Sequence, residues 1–342
     1  MVWRSLYETV LVMFFRNLGE SGPRLSVIGL GTWAIGGGDW KFGWGDQDDD
    51  ASVNAIIRAV ELGINWIDTA AIYGEGRSEL MVAKAMEKIP KADRPLIATK
   101  CGRIPLGGGE IGKCLQRNSI IAECEASLRR LNVDCIDLYQ MHWPEPDHEI
   151  EEGWQTLVDL KQQGKVRYIG VSNHDVAQLQ RLQSIHPIAS LQPPYSMIAR
   201  DIEPQVLPYC EANGIGVIAY SPMGKGLLTG TFTRERAASL SEKDHRSRDP
   251  KFKPPELEIN LMFVDSLQAI ADELGWTVAE LAIVWTLRCS EITAAIVGAR
   301  SPEQIETTVT AGSKLLESTH LRKIDEAIDH RDRQLTQIKK PR

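Results

Sequence analysis

Four residues suited to proton chemistry stand at matching places along this 342-residue chain. Asp68 closes the apolar run Ile64-Asn65-Trp66-Ile67, and Tyr73 follows five residues later in the stretch IDTAAIYGEGRSE. Lys100 closes a second apolar run, Leu96-Ile97-Ala98-Thr99, and His142 a third, from Ile136 to Met141. A free tyrosine, with a pKa of about 10, is a poor acid at neutral pH. A neighbouring ammonium favours the phenolate and lowers that pKa. Lys100 is therefore expected to bring Tyr73 down, and Asp68 to pair with Lys100 and fix its place. All four side chains lie at or just past the carboxyl ends of strands. In a parallel β/α barrel that face is where catalytic groups converge.

The elements that must position them alternate along the whole chain. Strands are predicted at 26–31, 64–67, 96–99, 135–141, 166–171, 189–192, 216–220 and 293–297. Helical stretches fall between and after them, at 51–62, 78–86, 119–131, 151–163, 175–183, 201–212, 259–273, 278–289 and 303–311. In the first helix Val53, Ile56, Ile57 and Val60 fall at the three- and four-residue spacing of one buried face. Strand–helix alternation throughout implies a parallel sheet. The count predicts an α/β protein of the (β/α)8 TIM-barrel class, a closed parallel barrel with a long lid loop after strand 7. An open doubly wound sheet is the alternative. Gly29-Leu30-Gly31-Thr32-Trp33-Ala34 matches the dinucleotide fingerprint G-x-G-x-x-G/A. That fingerprint needs a helix opening at its glycines, and GGGDWKFGWGD follows instead, a loop over a pocket mouth.

Composition sets broad limits. The chain is 43% hydrophobic and 25% charged with a net charge of −7, which describes a globular protein able to bury a sizeable core. The acidic balance argues against a nucleic-acid surface, which usually needs a basic patch. Cys101, Cys114, Cys124, Cys135, Cys210 and Cys289 show no CxxC pair and no zinc spacing, so no metal site is expected and a reducing cytoplasm fits. Leu6 to Phe15 is apolar, but it contains Glu8 and is too short to span a bilayer. Residues 1–15 are read as an N-terminal extension, with Met13 a candidate initiator, and 16–342 as one barrel domain.

Eight stretches in order resemble the aldo-keto reductases, NADPH-dependent carbonyl reductases built on a β/α barrel. They are GLGTW, GINWIDTAAIYGEGRSE, TKCG, DLYQMHWP, GVSNH, LQPPYS, AYSPMGKGLLTG and VGARSPEQIE. The resemblance runs from Arg16 to about Leu316, and its details are similar to the bacterial branch acting on small aldehydes, sugars or stress carbonyls. It implies carbonyl reduction with NADPH/NADP+ as cofactor, Asp68, Tyr73, Lys100 and His142 as the catalytic set, and His142 donating to the carbonyl oxygen. It implies that Ser172, Asn173 and Gln192 hydrogen-bond the carboxamide and that Tyr220 stacks on the nicotinamide. Gly31, Thr32, Trp33 and Asp68 would border the cofactor. Ser221, Pro222, Met223, Gly224, Lys225, Gly226 and Leu227 form a glycine-bearing loop suited to pyrophosphate, where Lys225 either touches the phosphates or faces water. Gly298 and Arg300 lead into a helix opening at Pro302-Glu303, and an arginine beside a helix N-terminus is a good phosphate site. Arg300, helped by Gln304, would grip the adenosine 2′-phosphate. Thr307 and Thr308 stand where the family often carries an acid or Asn, so adenine contacts depart from its pattern.

The pocket is expected to be lined by Trp33, Trp40, Trp44 and Trp143, which suits an apolar or a sugar-stacking substrate. Residues 229–259 are expected to be a mobile lid that orders over the cofactor, being rich in charge and proline and able to bury little surface. The partner expected is a small carbonyl compound, with no nucleic acid and no membrane, and the chain is expected to be a monomer. Two competing readings are a cofactor-binding regulatory subunit resembling the potassium-channel β subunits, and a barrel lyase or isomerase using Lys100 as a Schiff base.

Overall fold

A computed structural model describes residues 13–38, 40–108 and 110–339, and in it eight parallel strands close on themselves. They are β1 (Ile28–Gly31), β2 (Trp66–Asp68), β3 (Leu96–Cys101), β4 (Ile136–Met141), β5 (Val166–Ser172), β6 (Ser190–Gln192), β7 (Gly216–Tyr220) and β8 (Ile292–Gly298). Each pairs with the next, and β8 pairs with β1. The expected TIM-barrel architecture is the observed one, and the open-sheet alternative falls. The glycines of β1 lead into a 3-10 turn at Trp33–Gly36, not an α-helix.

Register puts the site residues on one rim. Gly31 lies opposite Asp68, Asp68 opposite Ala98, Lys100 opposite Gln140 and Gln192 opposite Ser172. The helices surround the barrel as α1 (Asp49–Glu61), α2 (Arg77–Lys88), α3 (Arg117–Leu131), α4 (Ile150–Gln162), α5 (Val176–Gln183), α6 (Val206–Ala212), α7 (Glu256–Leu274), α8 (Val278–Thr286), α9 (Pro302–Val309) and α10 (Ser318–Lys339). Their starts follow local chemistry. Asp48 accepts from the Ala51 amide to cap α1, while Asp175 and Thr277 build capping boxes at α5 and α8. Helix α10 is absent from the predicted elements. Its apolar stripe is sparse, and Ile324 and Ile328 become buried only because α7 lies alongside.

The barrel interior is filled by Trp66, Ala98, Leu138, Ile218, Ala294 and Ile296. Trp66 fits because β1 carries Gly29 beside it, where an added Cβ would stand 2.1 Å from the indole. The floor is closed by an antiparallel hairpin, Phe15–Asn17 with Arg24–Ser26, which sends Leu18 and Leu25 into that interior. Met13 is buried against Gly312 and the Phe14 amide donates to the Gly312 carbonyl at 2.9 Å. Met13 and Phe14 therefore pack against the barrel. The reading of residues 1–12 as an upstream extension lies outside the described residues.

Candidate active site

Strand ends β2 and β3 bring a carboxylate and an ammonium together inside the rim. Lys100 Nζ donates to both oxygens of Asp68, at 2.7 and 2.6 Å, and to the Thr69 carbonyl at 2.9 Å. It also stands 3.2 Å from the Tyr73 hydroxyl and donates to it. Asp68 and Lys100 are both buried, so each is stable only through the other and these added hydrogen bonds. Thr32 and Ser78 tie the neighbouring loop down. Thr32 Oγ1 donates to the Asp68 carbonyl at 2.9 Å, and Ser78 Oγ donates to Thr32 Oγ1 at 2.7 Å. The Tyr73 loop rests directly on the loop after β1. Gly74, with φ of 61°, lies so close to Gly36 that a Cβ would stand 2.1 Å from the Gly36 carbonyl oxygen.

His142 follows β4, and its ring meets that of Tyr73 edge-on at 5.7 Å. The four residues read from sequence as a set are thus in one place. The pKa expectation is corrected. Burial pushes the Tyr73 hydroxyl well above its ordinary value and Asp68 adds to that, while Lys100 is committed to Asp68. Burial likewise raises the Asp68 carboxyl and lowers Lys100. His142 is held well below its usual pKa by burial first, then by Lys100 and Arg103, so the imidazole is neutral. Its Nδ1 is buried and has no hydrogen-bond partner among the described residues.

A polar strip runs from the set along the rim. Gln192 Nε2 donates to Asp68 Oδ2 at 3.1 Å, and Ser172 Oγ donates to the Gln192 carbonyl at 2.7 Å. Asn173 donates to the His142 carbonyl at 3.0 Å and accepts from the Tyr220 hydroxyl at 2.9 Å. Beyond Tyr220 the chain takes four left-handed residues within six positions, Ser221, Gly224, Lys225 and Gly226. Successive turns of this kind make backbone concavities suited to anions. Leu227 points away into a buried cluster, and Lys225 pairs with Asp249 at 3.1 Å. Gly298 ends β8 at the surface.

Arg300 is placed beside the start of α9 as expected, and its guanidinium is engaged by the loop after β1. Nε donates to Gln47 Oε1 at 2.5 Å, Nη1 to the Trp44 carbonyl at 3.3 Å, and Nη2 to the Asp46 carbonyl. Gln304 Oε1 accepts from the Arg300 amide at 2.8 Å. Thr307 and Thr308 both donate to the Gln304 carbonyl.

The four tryptophans divide. Trp33 and Trp40 lie 6.4 and 6.0 Å from Tyr73, and Trp143 borders Arg103. Trp44 meets Trp33 edge-on at 5.4 Å and is also part of a clasp that sequence reasoning did not find. Its ring lies 4.7 Å from the Arg246 guanidinium and 4.8 Å from His245, which itself stacks on Trp33 at 4.8 Å. Arg246 is buried and pairs with Asp244, and the His245 amide donates to the Gly43 carbonyl at 3.1 Å. The run His245-Arg246-Ser247-Arg248 carried the only sequence signal, a cationic patch inside the expected lid. That lid is also more apolar than expected. Phe232, Phe252, Leu257 and Leu261 close a small core with Leu227, and α7 begins at Glu256.

Residues 27–329 match the aldo/keto reductase family. The chain is 38% identical to the aldo-keto reductase YhdN of Bacillus subtilis (strain 168) over 295 residues, 86% of this chain and 87% of that one. It is 34% identical to the NADH-specific methylglyoxal reductase of Escherichia coli (strain K12) over 327 residues, 91% and 98% of the two chains. The glycerol dehydrogenase AKR11B4 from Gluconobacter oxydans superposes with a TM-score of 0.83 at 35% identity, covering 95% and 97%. The holo form of aldo-keto reductase AKR11C1 from Bacillus halodurans superposes with a TM-score of 0.76 at 26% identity, covering 92% and 96%. With this barrel and this rim, the chain belongs to the aldo/keto reductase family, oxidoreductases that act on carbonyl compounds with nicotinamide cofactors.

Proposed function

We propose that this protein reduces aldehyde and ketone carbonyls to alcohols with NADPH, using Tyr73 as the general acid. The observation that carries the reading is the buried chain from Asp68 through Lys100 to the Tyr73 hydroxyl, open toward His142. A raised pKa keeps Tyr73 protonated at neutral pH, so it holds the proton that the carbonyl oxygen needs. As that proton leaves, the ammonium 3.2 Å away stabilises the phenolate. Asp68 keeps the ammonium in place. His142 is neutral, and with Nδ1 buried and unpartnered the ring proton belongs on Nε2, from which it donates to the same carbonyl oxygen.

The residues fit a dinucleotide. Left-handed backbone at Ser221, Gly224, Lys225 and Gly226 suits phosphates. Burial and then the nearby charge of Arg246 weigh on the Arg300 guanidinium, an arrangement that an anion would relieve. Ser172, Asn173, Gln192 and Tyr220 supply carboxamide partners and a ring to stack on. Gly31, Thr32 and Trp33 would border the cofactor, and Gly298, Arg300 and Gln304 would grip its 2′-phosphate. The reduced nicotinamide supplies the hydride when bound. Trp33, Trp40, Trp44 and Trp143 would line the substrate side, with Trp44 also joining the clasp.

The test is Tyr73→Phe, read with NADPH and 4-nitrobenzaldehyde. Loss of the hydroxyl should lower turnover by about 10²–10⁴ while cofactor binding persists. Turnover at the wild-type rate would remove Tyr73 from the mechanism.

A further inference from the structure

A second hairpin, Arg103–Gly107 with Glu110–Lys113, leaves β3 just past Lys100 and stands at the mouth of the site. Its Ile111 packs on the Trp40–Tyr73 cluster. In its ladder Arg103 is the register partner of Lys113, so two cations face each other across the strands, which ordinarily destabilises a pair. One carboxylate answers both. Glu145, from the loop after β4, accepts from Arg103 Nη2 at 2.5 Å and lies 3.0 Å from Lys113 Nζ. Among these three side chains one positive charge is in excess, and Glu123 meets the strand's backbone instead, accepting from the Gly102 amide at 2.9 Å.

Arg103 is also turned toward the chemistry. Its guanidinium lies 5.6 Å from the ring of Trp143, the residue after His142, and its charge is felt at His142. The side chain is 11% exposed, and Nη1 is buried with no acceptor among the described residues. A buried guanidinium N–H left unpaired is costly, and its planar fork matches a carboxylate. Trp33, Trp40 and Ile111 offer apolar walls only.

We propose that Arg103 is a specificity residue that takes a carboxylate of the substrate, so that the site favours aldehydes bearing a carboxylate beyond the reacting carbonyl over neutral ones of the same shape. The proposal rests on the carbonyl-reductase reading above. Because Nη1 is covered, binding includes a shift of the side chains over it, among them the partly exposed ring of Trp143. Glu145 competes with the substrate carboxylate for the same guanidinium.

The experiment compares kcat/KM for 4-carboxybenzaldehyde and for methyl 4-formylbenzoate, with NADPH, in the wild type, Arg103→Met, Arg103→Lys and Glu145→Gln. Arg103→Met should lower the acid-to-ester ratio by about tenfold or more, mostly through KM, as for loss of a charge-assisted hydrogen bond made in ground and transition states alike. Arg103→Lys should restore part of the ratio, and Glu145→Gln should raise it. A parallel fall for acid and ester in Arg103→Met, or an unmoved ratio, overturns the proposal. Quenching of tryptophan fluorescence by 4-(hydroxymethyl)benzoate gives a reading that needs no turnover. Its Kd should rise about tenfold in Arg103→Met. If neither aldehyde is reduced by any form, the carbonyl-reductase reading fails, and an equal Kd in wild type and Arg103→Met removes the anion subsite as well.

Discussion

Arg300 shows how a residue can be placed by sequence and still be governed by its neighbours. The motif put it between β8 and α9, and it is there, yet its donors are taken by Gln47 and the carbonyls of Trp44 and Asp46. These neutral acceptors are weaker partners for a guanidinium than a phosphate is. A 2′-phosphate would therefore displace them, and the loop after β1 would move with the exchange. Arg300→Ala should weaken NADPH binding by about 1.5–3 kcal/mol and leave NADH nearly untouched. Equal weakening of the two cofactors would show that Arg300 does not meet the 2′-phosphate. Tyr73 makes the converse point. Its position was legible in sequence, but the direction of its pKa was not, because that is set by burial and then by Asp68.

At the scale of elements, the loop after β1 and the segment after β7 form a closed clasp above the rim. His245 is its pH-sensitive member. Burial, Lys225 and Arg246 push its pKa down to about 4, against the pull of the Gly43 carbonyl and Asp244. The folded value lies below the free one, so the open form binds more protons and the clasp's stability rises with pH. The contribution is fully present above the free value of about 6.5 and is lost as pH falls through about 4. Emission from Trp33 and Trp44, which both pack on His245, should change over that window, and His245→Phe should flatten the change. An unaltered transition in His245→Phe would point to His174, which burial also lowers to about 4. Near pH 8, saturating NADPH should slow tryptic cleavage after Arg248, which is more exposed than the buried Arg246. Equal rates with and without NADPH would leave the clasp without a cofactor role.

Across the whole molecule, the barrel is closed at its floor by residues at the start of the described chain. Arg16 reaches across to the connection between α8 and β8, donating to the carbonyls of Leu287 at 2.9 Å, Cys289 at 3.1 Å and Ile292. The Leu287 and Cys289 carbonyls lie between α8 and β8 and Ile292 opens β8, with the Cys289 carbonyl also accepting from the Ile292 amide at 3.3 Å. Arg16→Ala should cost about 2–4 kcal/mol of stability, since several carbonyls lose charged donors at once. Chemical denaturation gives the answer, and a loss below about 0.5 kcal/mol would mean that water replaces the guanidinium. Catalytic constants should change far less than stability, because the floor and the rim are opposite ends of the barrel.

What the sequence determined by itself follows from short-range rules. Strand–helix alternation dictated the barrel, and strand ends dictated that Asp68, Lys100 and His142 share a rim, with Tyr73 one loop away. The family motifs located Ser172, Asn173, Gln192 and Tyr220 for the same reason. What the tertiary structure decided depends on groups distant in the chain. The clasp joins Trp44 to Arg246, the floor joins Arg16 to Ile292, and α10 finds its buried face only against α7. The excess charge at Arg103 depends on Lys113 and on Glu145, which lies on another loop. Hydrophobic periodicity carries no record of such pairings, because it reports which side of an element is buried and not which element covers it.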